Sequence, residues 1–246
     1  DDRMGRVAVY TLEGEFLENW HTNVGFMSNR PMVISADHDL YSTVLIDGRI
    51  DGVRMGMASF GPGVARGDTL SEPDWSYEAP RLWVYNEEGA PLMSAEVPFT
   101  PQREWAATPG RAVVSGTGED YRITVDLPGG TRRVIERVWD PVEVLPDEAA
   151  WYRARLTADL RQSDPGWSWD GSDIPDHKPA FRRLIPDRAG RIWVQRYGPG
   201  RRIEPCAEDP DDVSDYRTDP CWEPTWGVDV FRVTGEYLGA LAVPEG

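Results

Sequence analysis

The chain is short of lysine, and its charge is strongly of one sign. Of its 26 basic residues only Lys178 is a lysine, and 42 acidic residues bring the formal net charge to −16. Such a chain cannot readily displace counterions from nucleic acid or from an anionic lipid surface, so neither is an expected partner. The preference for arginine indicates a GC-rich bacterial gene. No apolar run reaches the ~18 residues of a membrane-spanning helix, and none is expected.

Residues for catalysis and zinc binding are also scarce. Histidine occurs only at His21, His38 and His177, and no His-Glu-x-x-His motif, glycine-rich phosphate loop or nucleophile elbow is present. Cys206 and Cys221 are the only cysteines, and they lack the spacing of a zinc site. The absence of these motifs argues against a catalytic role, but it does not exclude an enzyme.

Both cysteines lie in one segment rich in proline and aspartate, "EPCAEDPDDVSDYRTDPCWEP". Such a segment has too few apolar residues to fold by itself, and a disulfide closing a loop of this size contributes about 3 kcal/mol. We therefore expect a Cys206–Cys221 disulfide, with two free cysteines as the alternative. A disulfide would place the protein in an oxidising compartment, periplasmic or extracellular.

What the chain does have is repetition on a background of 24 glycines and 21 prolines. The phrases "GRVAVYTLEGEFLENW", "PRLWVYNEEGAPLMSAEVP" and "WGVDVFRVTGEYLGALAVP" share alternating apolar residues on both sides of a glycine, and "DYRITVDLPGGTRRVIERVW" is a weaker copy. That pattern predicts four β-hairpins. The turn glycines are Gly14, Gly89, Gly129 and Gly235.

A second pair of strands precedes three of these hairpins. It reads "PMVISADHDLYSTVL" at 31–45, "EWAATPGRAVVSGT" at 104–117 and "FRRLIPDRAGRIWVQRY" at 181–197. One repeat is therefore four antiparallel strands, a to d, and radially repeated four-stranded sheets form a β-propeller.

The last repeat resembles a known family. "KPAFRRLIPDRAGRIWV" followed by "VDVFRVTGEYLGALAVP" is similar to the blades of six-bladed β-propellers of the NHL and TolB-like kind, which carry an Asp-x-x-Gly turn before an aromatic strand and then a Val-Phe-Asp-x-x-Gly hairpin. The resemblance covers about half of the chain. It implies the fold rather than the function, because such propellers include hydrolases, lyases and binding proteins.

We therefore expect one all-β propeller domain over residues 1–246, with blades of four antiparallel strands. The blade repeats are predicted at about 5–20, 31–98, 104–139 and 181–244. Three and a half blades cannot close a ring, so this sequence is expected to lack the N-terminal part of a six-bladed protein. An open arc completed by a partner chain and a differently closed β fold are the alternatives.

Three insertions separate the predicted strands, at 46–80, 140–180 and 198–226, and the strand order sends all three to one face. Long loops on a rigid scaffold commonly carry function. The second insertion contains one predicted helix, beginning near Pro146–Asp147. Aromatic residues are concentrated in the insertions, and they predict a protein-binding face. They are Trp75, Tyr77, Trp151, Trp167, Trp169, Tyr216, Trp222 and Trp226.

The sequence thus favours a non-catalytic propeller that binds a protein partner or a larger complex and needs no cofactor. One alternative is a calcium-dependent hydrolase of the lactonase type, with His177 and Glu104 near the central channel. Its weak calcium candidates are Asp209, Asp211, Asp212 and Asp215. The resemblance implies calcium ligands on the inner strands, and the inner strands here supply few. A second alternative is a carbohydrate-binding propeller, because tryptophans also stack on sugars.

Overall fold

The chain folds into an all-β structure with a propeller-like arrangement, as predicted. The computed structural model describes residues 6–21, 32–49, 52–61, 67–204 and 221–242. Within these ranges it contains three four-stranded antiparallel sheets, two two-stranded hairpins and one helix.

The elements follow one another along the chain in five groups. A hairpin of β1 (Arg6–Tyr10) and β2 (Phe16–His21) precedes the first sheet, which comprises β3 (Val33–Ile34), β4 (Leu40–Arg49), β5 (Gly52–Phe60) and β6 (Thr69–Ser71). A second hairpin of β7 (Arg81–Tyr85) and β8 (Pro91–Glu96) precedes the second sheet, β9 (Glu104–Ala107), β10 (Val113–Gly116), β11 (Arg122–Asp126) and β12 (Arg132–Glu136). Helix α1 (Pro146–Arg161) leads to the third sheet, β13 (Arg183–Pro186), β14 (Arg191–Arg202), β15 (Trp222–Arg232) and β16 (Tyr237–Ala242).

The turn between the first two strands has the same geometry in all three sheets. It begins at Ser35, Thr108 or Asp187, whose backbone C=O accepts a hydrogen bond from the N–H three residues later. That later residue has a left-handed backbone each time, and it is His38, Arg111 or Gly190, with φ of 68°, 63° and 71°. Side chains tolerate this conformation poorly. The shared turn therefore supports a true repeat, in which His38 has a turn role.

The predicted glycine hairpins are also confirmed. The N–H groups of Gly14, Gly89 and Gly235 each bond to the C=O three residues earlier, and their φ values are 89°, 79° and 93°. In the hairpin of β11 and β12 the corresponding donor is Gly130, one residue after the predicted Gly129.

The prediction of a single blade over 31–98 is wrong in its strand assignment. Strand β4 pairs with β5, and β6 completes that sheet, so the segment 46–80 is no simple insertion. The hairpin β7–β8 forms a separate two-stranded sheet. The physical reason is proximity along the chain, because β5 follows β4 after two residues and closing a short loop costs less entropy.

The segment 198–226 likewise contains strand structure. Strands β14 and β15 continue to pair from Tyr197↔Trp226 to Arg202↔Trp222, beyond the residues that pair with β13 and β16. They form a two-stranded ribbon that projects from the sheet. Strands β4 and β5 form a similar ribbon that ends at Arg49↔Gly52. Both ribbons leave from the connection between the second and third strands.

Apolar contacts join neighbouring sheets. Ile123 and Val125 of the second sheet meet Ile192 and Val194 of the third, and all four are fully buried. Trp105 of β9 packs with residues of β4 and β5 in a second cluster. Residues of β3, β9 and β13 together line a cavity of about 200 Å³. The first strands of three sheets thus face a common centre, as inner strands of a propeller do.

The hairpin β7–β8 and helix α1 form a lobe, defined here as residues 81–97 together with 144–178. Leu82 and Val84 on the inner face of β7 pack with Leu160 of the helix and with Trp167. Pro146 opens the helix, with Asp147 in its first turn, as predicted. No helix in the described part of the chain is long and apolar enough to cross a membrane.

Candidate binding site

Two of the predicted partner-binding aromatics are buried within this chain. Trp167 is 6% exposed, and its indole N–H donates a hydrogen bond of 3.0 Å to the backbone oxygen of Trp83. Trp222 is 9% exposed at the start of β15. Neither indole is accessible to a partner in this structure, because each contributes to the chain's own core. Their role in partner binding stays a prediction.

Most of the other predicted aromatics are half-buried and already contact neighbours. The indole N–H of Trp75 donates to Glu72, that of Trp169 donates to the backbone of Ser172, and the hydroxyl of Tyr77 donates to Pro101. Trp151 contacts Tyr152 edge-on, and Trp226 lies 5.0 Å from Tyr197 across the ribbon. Tyr216 lies outside the described residues. A partner role for these residues stays a prediction.

The exposed aromatic surface lies elsewhere, on the outer face of the hairpin β7–β8. Trp83, Tyr85 and Leu92 are 39%, 53% and 57% exposed. The two rings are stacked at 6.4 Å and 30°. These three residues are called the aromatic face below. The sequence "RLWVY" carries the signal that could have located it, because a strand apolar on both sides needs cover on both sides.

Charged residues surround this aromatic face. Arg81 forms an ion pair with Glu96 at 3.5 Å and donates a hydrogen bond to Ser94. Glu87 and Glu88 are exposed in the hairpin turn. Acidic groups outnumber basic ones along this rim, as they do in the whole chain.

A buried ion pair lies within the lobe, at its attachment to the third sheet. The Lys178 ammonium lies 2.8 Å from the Glu148 carboxylate, and neither side chain is exposed. Lys178 also lies 3.3 Å from the backbone oxygen of Gly198 and 5.0 Å from the centre of the Phe99 ring. A Cβ on Gly200 would come within 2.5 Å of the Glu148 carboxylate, so the ribbon backbone closes over the pair.

A second buried charge joins the second and third sheets. Asp229 is fully buried, accepts a hydrogen bond of 2.7 Å from the Tyr121 hydroxyl and forms ion pairs with Arg137 and Arg196. Burial, together with the hydrogen bond and charge of Asp229, raises the pKa of Tyr121. Both guanidinium groups are engaged by Asp229, which indicates a structural role.

The central cavity presents mostly apolar side chains. It is lined by Met32, Ile34, Trp105 and Ile185, and Asp187 is the only acidic residue among the described residues of its wall. Partial burial alone would raise the pKa of Asp187, but hydrogen bonds from Trp193 and Arg191 outweigh it and lower the pKa to about 2. This carboxylate is therefore already satisfied.

The calcium prediction stays untested. The candidates Asp209, Asp211, Asp212 and Asp215 lie outside the described residues. In the part of the chain that the structure describes, no group of three His, Cys, Asp or Glu side chains is placed to hold a metal.

His177 and Glu104 are not joined by any contact found in the structure. His177 is exposed, and its backbone pairs with Glu143 as an isolated bridge. Glu104 begins β9 and lies near Tyr197, whose pKa is raised chiefly by burial and also by this carboxylate. A joint catalytic role for these two residues stays a prediction.

The predicted disulfide also stays a prediction. Cys221 is buried at the start of β15, whereas Cys206 lies outside the described residues.

Comparison with known sequences does not name a family. No protein-family model matches the chain, and a search of curated proteins finds no significant match. The assignment of a function therefore depends on the site alone.

Proposed function

We propose that this chain is a non-catalytic propeller subunit that docks a protein partner through its lobe. The observation that carries the proposal is the aromatic face. Trp83, Tyr85 and Leu92 stand exposed on a hairpin whose opposite face packs on this chain through Leu82 and Val84. Aromatic residues on a rigid support are the usual centres of protein–protein interfaces.

The composition of the aromatic face favours a protein over a sugar. Leu92 adds an aliphatic side chain, and the Arg81 guanidinium at the rim already engages both Glu96 and Ser94. A sugar needs free donors and acceptors around the aromatic ring, whereas a protein partner can supply an apolar side chain. The acidic rim and the net charge of −16 fit a partner whose own rim is basic.

The finer class and the compartment belong to the same proposal. The turn from Asp187 to Gly190, followed by Trp193 on the next strand, supports a six-bladed propeller of the NHL and TolB-like kind. A Cys206–Cys221 disulfide would support a periplasmic or extracellular location in a bacterium.

The experiment measures the native mass of the protein isolated from its source under mild conditions. We expect it to travel in a larger assembly of fixed stoichiometry, and the double variant W83S/Y85S to run at its own mass. The backbone oxygen of Trp83 still accepts the bond from Trp167 in that variant, so the lobe is expected to stay folded. The matched control is Leu12→Ser, because Leu12 is fully exposed in a different hairpin.

Two results would refute the proposal. One is an unmodified protein that runs alone at its own mass. The other is a folded W83S/Y85S variant that remains in the assembly as fully as the Leu12→Ser control does.

A further inference from the structure

The two faces of the second sheet differ in chemistry. On one face, Ile123 and Val125 are fully buried against the third sheet. On the other face, Ser115 and Thr124 border a cavity of about 450 Å³. The segment 73–76, which follows the first sheet, forms its opposite wall. This cavity is called the crevice below, and its volume lies within the range of about 300–1,000 Å³ that is usual for small-ligand sites.

The walls of the crevice combine hydrogen-bond donors, acceptors and one aromatic side chain. Arg122 is paired with Glu136 and Arg132 with Asp126, so these guanidinium groups offer a ligand only their remaining N–H donors. The carboxylates can accept, and the hydroxyls can do both. Carboxylates outnumber guanidinium groups, four to two. The polar side chains in the walls are Asp74, Ser76, Ser115, Thr117, Glu119, Asp120, Arg122, Thr124, Asp126 and Arg132.

Trp75 is held in a fixed position at the edge of this crevice. Its indole packs against the apolar cluster that contains Trp105, and its N–H donates a hydrogen bond of 2.9 Å to Glu72. The ring therefore loses little freedom when a ligand packs on it, which favours binding.

Ser115 lies on the wall of the crevice. It is 5% exposed, and it borders the cavity together with Thr124. A ligand in the crevice would therefore meet a hydroxyl group that can both donate and accept a hydrogen bond.

We propose that the crevice binds a neutral sugar ring. A sugar hydroxyl both donates and accepts, so it can use guanidinium and carboxylate groups together. Its C–H face can pack on the indole of Trp75. An anion would meet an excess of carboxylates, and an apolar ligand would remove water from carboxylates such as Asp120. The crevice is separate from the aromatic face, so this site does not depend on the docking proposal.

Saturation-transfer NMR with maltose, cellobiose, lactose and chitobiose tests the site, and calorimetry then measures the affinity of the best of them. We expect saturable binding by at least one sugar. Trp75→Ala should weaken it at least tenfold, and Asp120→Asn and Thr124→Val should weaken it severalfold. The control Trp83→Ser changes an aromatic residue on the lobe and should leave sugar affinity unchanged.

Because Trp75 also packs in an apolar cluster, its variant could fail to fold. The two polar variants keep the test decisive in that case, since Asp120 is exposed and valine matches the shape of Thr124. The proposal is overturned if none of the four sugars binds, or if both polar variants bind as tightly as the unmodified protein. It is also overturned if putrescine, tested alongside, binds in the crevice and the sugars do not.

Discussion

The hairpins β7–β8 and β15–β16 carry nearly the same sequence phrase but have different positions in the fold. Each turns at a left-handed glycine, Gly89 or Gly235, and each has a register shift at the aromatic residue before the turn, Tyr85 or Phe231. Yet β15–β16 completes a four-stranded sheet, whereas β7–β8 stands alone beneath α1.

The difference shows that the phrase specifies the hairpin and leaves its tertiary partner open. Strand β15 pairs with β14, which supplies the edge that a hairpin needs for a stable sheet. For β7 the corresponding edge, on β4, is already occupied by β5. The hairpin β7–β8 is therefore covered on one face by a helix, and its other face remains exposed.

The largest expected effect comes from breaking the buried ion pair at the attachment of the lobe. Lys178→Met leaves the buried Glu148 carboxylate without its counter-charge, which typically costs about 3–5 kcal/mol. Denaturant unfolding should show this loss, and hydrogen exchange should show it first in β7, β8 and α1. The double variant E148L/K178M should recover much of the stability, since it removes both charges. Unchanged exchange in the lobe of Lys178→Met would contradict the attachment role.

A matched pair of core substitutions tests whether the lobe and the propeller sheets unfold separately. Leu82→Ala and Leu184→Ala both remove a buried leucine, 1% and 4% exposed, and each should cost about 2–5 kcal/mol. Leu82→Ala should raise hydrogen exchange chiefly in the lobe, because most residues of the cluster that contains Leu82 belong to the lobe. Leu184→Ala should raise exchange across the second and third sheets, which share its cluster. Identical exchange patterns in the two variants would mean that the chain unfolds as one unit.

Local features of the fold could be predicted from the sequence. The hairpins at Gly14, Gly89 and Gly235, the turn at Asp187 and the helix beginning at Pro146 all follow from short-range patterns. The pairing of β4 with β5 was missed, because the repeated phrase at 80–98 matched the expected strands better than the segment 52–60 did. Strand pairing depends on which edge is free, and a repeat pattern does not contain that information.

The candidate sites were harder to predict than the fold. Tryptophan in an insertion indicates an interface only if its side chain stays exposed, and burial placed Trp167 in the core of the lobe. Trp83 and Tyr85 sit within the repeat, so the sequence pattern accounts for them as strand residues and does not mark them as exposed. Nor could Lys178 be paired with Glu148 from sequence, because the contact joins residues 30 positions apart.

The loss of stability at low pH tests the turn between β13 and β14 in the third sheet. The hairpin β7–β8 has no corresponding turn. The pKa of Asp187 is lowered from 3.8 to about 2 in the folded protein. The Asp187 carboxylate therefore contributes fully to the free energy of unfolding when the pH is above 3.8, its pKa in the unfolded chain. That contribution is lost as the pH falls towards 2. Because the carboxylate is partly exposed to solvent, we expect this contribution to the free energy of unfolding to be about 1–2 kcal/mol. The stability difference between the unmodified protein and Asp187→Asn, measured by denaturant unfolding from pH 5 to pH 2.5, should shrink on acidification. A constant difference would mean that the turn does not hold the charge.

The smallest expected loss of stability comes from two glycine substitutions that compare the hairpins β7–β8 and β15–β16 directly. Gly89→Ala and Gly235→Ala each place a side chain at a left-handed position, with φ of 79° and 93°. An added Cβ would meet nothing within 4 Å at Gly89 and only an ordinary contact at 3.8 Å at Gly235. Both costs are therefore backbone costs, of about 1 kcal/mol each. Hydrogen exchange should locate the first loss in the lobe and the second in the third sheet. Equal costs in different places would confirm that one local motif serves two tertiary contexts. A much smaller cost for Gly89→Ala would instead mean that the exposed hairpin relaxes its turn, and that its geometry depends on the partner we propose for its aromatic face.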